Sequence, residues 1–253
     1  MKYIVTISGG KDSVAMTDLL LKNNYPVDYV VFNDTSMEFK EMYDYIDKIN
    51  LYFKKKYNKE IIKISPKIEF KEHIFKKRIK GKNKGHAIGF LSPEMGFCEY
   101  RTYNKNLTLK NWLNKNKINN YTLYIGFTND ETKRANKFKE NNKNVIFPLI
   151  DYFDMSEKDC LKYLKENNLE NPLYKYFSRT GCKFCHYQSE QDWYHIWKYF
   201  NEDWQELKEL EKRIKESNAK HKTIFSKFRT TDDMEETFIQ KEKQGKFKPL
   251  NLE

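Results

Sequence analysis

A chain of 253 residues is long enough to bury a substantial core, and one α/β domain with a C-terminal extension is the natural count. No stretch approaches the roughly 20 apolar residues of a membrane-spanning helix, and the opening strand and loop do not read as an export signal, so four cysteines point to the cytoplasm and to metal or redox use before disulfides. The net charge of +11 invites a nucleic-acid partner, but only six of the 47 basic residues are Arg and the lysine excess accompanies abundant Asn, Ile and Tyr, so charge alone decides little.

The run Tyr3 to Ile7 predicts a first strand, and Val14 to Lys22 a helix. Between them lies Ser8-Gly9-Gly10-Lys11-Asp12-Ser13. Paired glycines let backbone N–H groups approach an anion, the following helix offers unsatisfied donors and its positive dipole end, and Ser8, Ser13 and Lys11 add donors and charge. Neither the Walker spacing nor the three-glycine dinucleotide pattern is present. The alternative is a simple strand-to-helix turn in which Asp12 or Ser13 caps the helix.

Val27 to Phe32 predicts a second strand and Phe39 to Phe53 a helix. Asp34, just past that strand, can accept from a ribose or base amine or hold Mg²⁺; otherwise it caps the helix, with Glu38 in the first turn. Ile61 to Ile64 reads as a third strand. Lys71 to His86 concentrates Lys76, Lys77, Arg78, Lys80, Lys82 and Lys84 around Gly81 and Gly85, either as a solvated mobile loop or as a lid facing a polyanion. Tyr121 to Ile125 predicts a fourth strand, followed by Gly126 for close backbone approach, Asp130 and Glu131 for a metal or sugar, and Arg134 for a phosphate. Val145 to Phe147 reads as a fifth strand, and Ser156 to Asp159 caps a helix running through Leu164. Strand-helix alternation of this kind implies a parallel sheet with helices on both faces and ligands beyond the strands' carboxyl ends. From Glu190 the chain reads as helical, with Trp193, Tyr194, Trp197, Tyr199, Phe200 and Trp204 as core, and Lys241 to Glu253 as a loose tail.

Cys182-Lys183-Phe184-Cys185 has a spacing that lets two thiolates bind one metal centre. Cys98 lies 84 residues upstream of Cys182. Three cysteines suit a [4Fe-4S] cluster with one open iron, or His186 completes a Cys₃His zinc site. Cys160, beside Leu161 and Leu164 on an amphipathic helix, reads as a buried, inert thiol.

Taken together, Ser8 to Ser13, Asp34-Thr35 with Glu38, Cys98 with Arg101, Gly126 with Asp130, Glu131 and Arg134, Phe147 to Asp151, and Cys182 to Cys185 resemble the phosphoadenosine phosphosulfate reductase family, within the PP-loop ATP pyrophosphatases or adenine nucleotide alpha hydrolases. The resemblance runs in order over residues 3 to 190. It implies a doubly wound, five-stranded parallel sheet in a nucleotide-binding domain over 1–190, with a helical extension over 191–253. In it Ser8, Gly9, Gly10, Lys11, Asp12 and Ser13 would hold the phosphates of ATP and Mg²⁺, Asp34 the nucleoside or metal, and Arg101 and Arg134 anionic groups, with Gly126, Asp130 and Glu131 also at the nucleotide. Cys98, Cys182, Cys185 and His186 would hold the cluster or zinc. The family's reductases attack sulfur with a cysteine near the C-terminus, and no cysteine follows Cys185 here. The expectation therefore moves to an enzyme that cleaves ATP to AMP and pyrophosphate and adenylates a substrate for sulfur transfer, acting on tRNA, DNA or a small molecule, as a homodimer if it self-associates. The alternatives are a sulfonucleotide reductase that borrows its thiol from a partner, and a nucleotide-binding module with structural zinc and no turnover.

Overall fold

The computed structural model describes residues 1–91, 98–101 and 106–250, with the side chain of Glu99 left aside. Five short strands form where β-branched and aromatic residues concentrate: β1 (Lys2–Ile7), β2 (Tyr29–Asn33), β3 (Ile61–Ile64), β4 (Tyr121–Tyr124) and β5 (Val145–Ile146). All pair in parallel, in the order β3-β2-β1-β4-β5, so the doubly wound sheet expected from the alternation is found. Val5 of β1 sits beside Val30 on one side and Tyr124 on the other. Ile4, Val5, Val30, Val31 and Phe32 are all at most 1 % exposed, as central strands covered on both faces should be.

Parallel pairing requires crossovers, and helices supply them. In chain order they are α1 (Lys11–Lys22), α2 (Lys40–Tyr57), α3 (Phe70–Phe75), the single turn α4 (Glu99–Arg101), α5 (Leu107–Lys115), α6 (Thr132–Asn141), α7 (Pro148–Asp151), α8 (Glu157–Glu166), α9 (Glu190–Tyr199), α10 (Asn201–Glu216) and α11 (Thr231–Lys243). One start differs from the sequence expectation. The apolar period begins at Val14, but α1 begins at Lys11, because a first turn with unpaired N–H groups tolerates polar side chains.

The chain divides into two compact units. The first comprises Met1–Asp34, Lys40–Ser65 and Leu107–Tyr174, and the second Thr35–Phe39, Pro66–Asn106 and Lys175–Glu253. The first unit contains the sheet. One layer of its core is Ile4, Val31, Ile64, Leu113 and Ile118, and α1 packs along α7 and α8. The strand order reverses at β1, which neighbours β2 on one side and β4 on the other, so the crevice beyond the carboxyl ends of β1 and β4 is the position where such sheets hold ligands.

The second unit is helical and aromatic. Trp204 and Phe238 are fully buried, and Trp193 meets Phe225 edge-on at 4.9 Å. Among the aromatics read as core, Tyr199 is instead 42 % exposed. Capping boxes start α9 (Ser189 with Asp192) and α11 (Thr230 with Asp233). The segment read as a loose tail is helical through Lys243 and remains docked beyond it. Phe247 stacks on Tyr194 at 3.7 Å, and the Lys248 N–H donates to Gln191 Oε1 at 3.0 Å.

Candidate functional site

The turn between β1 and α1 closes on itself. Ser13 Oγ accepts from the Ser8 N–H at 3.1 Å, donates to the Gly10 carbonyl at 2.9 Å and lies 3.1 Å from Ser8 Oγ. Gly9 has φ +77°, where a side chain is strained, and a Cβ there would lie 2.2 Å from Met42 Sδ. Gly10 occupies the cap position of α1 and no side chain caps the helix, so the positive end of α1 opens toward the turn. Asn171, fully buried, donates from Nδ2 to the Gly9 carbonyl at 2.9 Å and accepts the Leu173 N–H at 2.9 Å, while the Lys11 N–H donates to the Tyr174 hydroxyl at 2.7 Å. The turn is thus shaped by its own serines and braced from behind by Asn171.

Charge converges on the same turn. Lys11 Nζ lies 2.7 Å from Glu157 Oε2 and 3.5 Å from Asp12 Oδ2. Burial opposes the Lys11 charge, but the Glu157 hydrogen bond and the field of Asp12 outweigh it and hold its pKa above the ordinary value. Asp12 is pushed up to about 6, chiefly by desolvation, with Lys11 opposing and Glu157 and Glu131 adding to the rise. Its Oδ1 is buried with no hydrogen-bond partner. A desolvated carboxylate with an unpartnered oxygen and two acidic neighbours is an arrangement that a hard cation relieves. Mg²⁺, which takes one or two carboxylates and completes its shell with phosphates and water, fits this donor set.

The sequence expectation places Asp12 and Ser13 in the turn ahead of the helix; instead both lie in its first turn, and Ser13 is only 8 % exposed. The reason is the early helix start, which folds Ser13 back under Gly10.

The loop after β4 meets this turn directly. A Cβ on Gly126 would lie 3.2 Å from the backbone of Asp12 and Ser13, so the close approach there is to the turn itself. Asp130 Oδ2 accepts the Glu157 N–H at 2.7 Å, fixing the start of α8, whose capping box is Ser156 with Asp159. Glu131 pairs with Arg134, whose guanidinium lies over the Phe127 ring at 4.7 Å. Asp34, at the carboxyl end of β2, accepts from the Tyr43 hydroxyl at 2.7 Å and from Ser65 Oγ at 3.4 Å. It does not cap α2, which begins six residues later at Lys40. Cys160 is fully buried on α8, and burial pushes its thiol pKa up, as an inert thiol requires.

Within the second unit, Cys98 and Arg101 share one turn, the Arg101 N–H donating to the Cys98 carbonyl at 3.2 Å, and the Arg101 side chain is exposed. Cys182 and Cys185 form a tight turn, closed by the Cys185 N–H to the Cys182 carbonyl at 3.1 Å. The Lys183 N–H fastens this turn to the Met37 carbonyl at 2.7 Å. Lys183 Nζ is held between Asp203 and Glu206, both at 2.7 Å. His186 is 3 % exposed, its Nε2 has no partner, and burial lowers its pKa. Nonetheless, among the described residues no three His, Cys, Asp or Glu side chains converge on a metal-sized point. Cys98, Cys182, Cys185 and His186 all lie in this unit.

Residues that local sequence reasoning misses are Asn171, Tyr174 and Glu157. Glu157 is legible only as a first-turn acid of α8, and nothing local marks its side chain as the partner of Lys11. Asn171-Pro172 reads as a turn, whereas the Asn171 amide crosses 162 residues to reach Gly9.

A glycine turn at the switch point of a five-stranded parallel sheet, opening on an uncapped helix N-terminus with Lys11 and Asp12 in its first turn, is the kind of turn at which α/β proteins hold phosphates. The chain belongs to the phosphoadenosine phosphosulfate reductase domain family, whose model matches residues 2–188, and so to a family of enzymes that bind adenine nucleotides. Two solved structures are similar to it. One is the phosphate complex of phosphoadenylyl-sulfate (PAPS) reductase from Candida auris, 17 % identical over 72 % of this chain and 81 % of that one, with a TM-score of 0.48. The other is the U34-tRNA thiolase NcsA from Methanococcus maripaludis with its [4Fe-4S] cluster, 16 % identical over 79 % of this chain and 66 % of that one, with a TM-score of 0.45. No curated protein matches the chain. Among the described residues, no helix is long and apolar enough to cross a membrane.

Proposed function

We propose that the protein binds ATP with its phosphates in the Ser8 to Ser13 turn and cleaves it between the α and β phosphates. The observation that carries this reading is the turn itself. Gly9 stands at φ +77° and α1 starts without a side-chain cap, which suits an anion at its first turn, beside a cation at Lys11 and a carboxylate at Asp12 that fits Mg²⁺. Asp12 would hold that ion, which neutralises phosphate charge when bound.

In this reading an acceptor oxygen attacks the α phosphorus. The new O–P bond forms as the bond to the bridging oxygen breaks, and pyrophosphate leaves with the electron pair. A sulfur nucleophile such as sulfide then attacks the carbon that bears the adenylated oxygen, the C–S bond forms as the C–O bond breaks, and AMP leaves with that oxygen and the electron pair. Catalysis is positioning and charge neutralisation. Lys11 exchanges its Glu157 partner for departing phosphate oxygens, Ser8 and Ser13 donate to the same oxygens once their hydroxyls turn from each other and from the Gly10 carbonyl, and Asp34 serves the nucleoside. Arg134 is already paired with Glu131, so its phosphate role requires that pair to open. The acceptor in this reading is a nucleic acid, tRNA or DNA. The cysteine set carries no step of it.

The test is ATP labelled on the α or the γ phosphate, incubated with protein, Mg²⁺, sulfide and bulk tRNA or duplex DNA. Labelled AMP and labelled pyrophosphate are expected. ADP with inorganic phosphate, or no turnover of ATP alongside sulfite release from phosphoadenosine phosphosulfate when a thiol is supplied, overturns the reading in favour of another member of the family.

A further inference from the structure

The basic cluster read from the sequence as either a mobile loop or a lid is an ordered hairpin within the second unit. Lys77 and Ala87 form an antiparallel bridge. The Arg78 N–H donates to the His86 carbonyl at 2.9 Å, the Gly85 N–H returns to the Arg78 carbonyl at 2.8 Å, and the Ile88 N–H reaches the Lys76 carbonyl at 3.0 Å. Gly81 and Gly85, both at positive φ, turn the tip, and no atom lies within 4 Å of where either Cβ would stand. One residue braces the base. Asn218 accepts the Ala87 N–H at 2.9 Å, donates to the Gly85 carbonyl at 3.1 Å, and its carbonyl lies 2.7 Å from His86 Nδ1.

What the hairpin presents is almost purely cationic. Lys76, Lys77, Lys80, Lys82 and Lys84 are exposed, and none of the five makes an ion pair among the described residues. No Asp or Glu occurs in the sequence between Glu72 and Glu94. Lys220, two residues past the brace, is also exposed. Elsewhere in this unit lysines do find carboxylates, as Lys71 does with Glu206 at 2.8 Å and Lys208 with Glu235 at 2.9 Å. The hairpin therefore holds five or more ammonium groups on an ordered scaffold with no internal counter-charge.

From this we infer that the hairpin Lys76–Ala87 is a docking surface for the phosphate backbone of a structured nucleic acid. The side-chain chemistry selects that partner class. Lysines are point charges that neutralise phosphates and release counterions without reading bases. No Phe, Tyr or Trp lies between Phe75 and Phe90 to stack unpaired bases, and the His86 ring is held by the Asn218 carbonyl, which disfavours single strands. Ile79, 75 % exposed, is the one large apolar side chain at the tip, too little to insert into a lipid surface. The inference rests on the reading that the acceptor is a nucleic acid, but it is tested by binding, so its failure and the failure of ATP cleavage are separable.

The experiment measures binding of bulk tRNA and of mixed-sequence duplex DNA across a salt series, for the full chain and for the triple variant Lys80→Gln, Lys82→Gln, Lys84→Gln. A variant with the same charge loss on exposed lysines of the first unit, Lys137→Gln, Lys139→Gln, Lys143→Gln, is the control. The hairpin variant should bind at least one of the two nucleic acids about tenfold more weakly at low salt, and its log-log salt slope should fall in magnitude by about 2 to 3, close to one for each phosphate no longer neutralised. Its MgATP affinity should be unchanged. Whichever nucleic acid shows the loss identifies the partner. A second variant of the same face, Lys76→Gln with Lys220→Gln, should behave alike. Equal losses in hairpin and control variants, an unchanged salt slope, or tighter binding to polyglutamate or phosphatidylserine vesicles than to either nucleic acid would overturn the inference.

Discussion

Replacing Asp12 by Asn should make the empty protein more stable while removing its function. The carboxyl is raised from 3.8 to about 6, so the folded state opposes its ionisation. At about 1.4 kcal/mol per tenfold change in the proton equilibrium, that rise corresponds to roughly 3 kcal/mol. That figure is already net of the attraction of Lys11, and the side chain is 22 % exposed, so solvent screens part of it. A gain of about 1 to 2 kcal/mol at about pH 8 is the realistic figure. The sign follows from the direction of the shift. Between the unfolded and folded values the native state binds more protons, so this group makes wild-type stability fall as pH rises through the window from about 4 to about 6. Asp12→Asn, which cannot ionise, lacks that fall. Urea denaturation of both proteins across a series from about pH 4.5 to about pH 8 should show the difference opening through that window and flat above about pH 7. An Asn variant less stable than wild type at the upper end, or a difference independent of pH, would refute the assignment of Asp12 as a desolvated carboxylate awaiting a cation. Nucleotide turnover should be lost in the same variant, since a site strained for function is relaxed by such a change.

Gly9→Ala should cost about 1 to 3 kcal/mol of stability and weaken ATP binding together, because the new Cβ meets Met42 Sδ in a left-handed backbone; thermal unfolding and calorimetry with MgATP check both. Asn171→Ala removes two hydrogen bonds at a fully buried position and should destabilise by about 2 to 4 kcal/mol, with a raised Kd for MgATP although Asn171 lies behind the turn. Treating the protein with ortho-phenanthroline in excess Mg²⁺ should leave MgATP affinity unchanged, because the nucleotide turn and all its braces lie in the first unit while Cys98, Cys182, Cys185 and His186 lie in the second. Loss of nucleotide binding under that treatment would contradict the assignment.

The sheet was legible because its strands are short β-branched and aromatic runs with turns between them, and burial at the centres of β1 and β2 leaves Ile4-Val5 and Val30 to Phe32 apolar on both faces. The Ser8 to Ser13 turn was legible for a related reason: its conformation is set locally by paired glycines. Where α1 starts was not, since Lys11, Asp12 and Ser13 carry no apolar period and it is the backbone bond from the Val14 N–H to the Gly10 carbonyl, at 3.1 Å, that starts the helix there. Nor were the braces of the turn. Asn171, Tyr174 and Glu157 act across long stretches of chain, which no local pattern encodes. The spacing of Cys182 and Cys185 is a local signal, whereas where Cys98 stands relative to them is set by the chain between, which no local pattern encodes.

The most direct measurement of the central claim is backbone hydrogen exchange in the peptide spanning Ile7 to Met16, with and without Mg²⁺ and the non-cleavable α,β-methylene analogue of ATP. Phosphates seated in the turn should slow exchange at Gly9 through Ser13, and Asp12→Asn should reduce that protection. Saturating nucleotide that leaves these amides unprotected, while protecting others, would place the phosphates elsewhere and contradict the account.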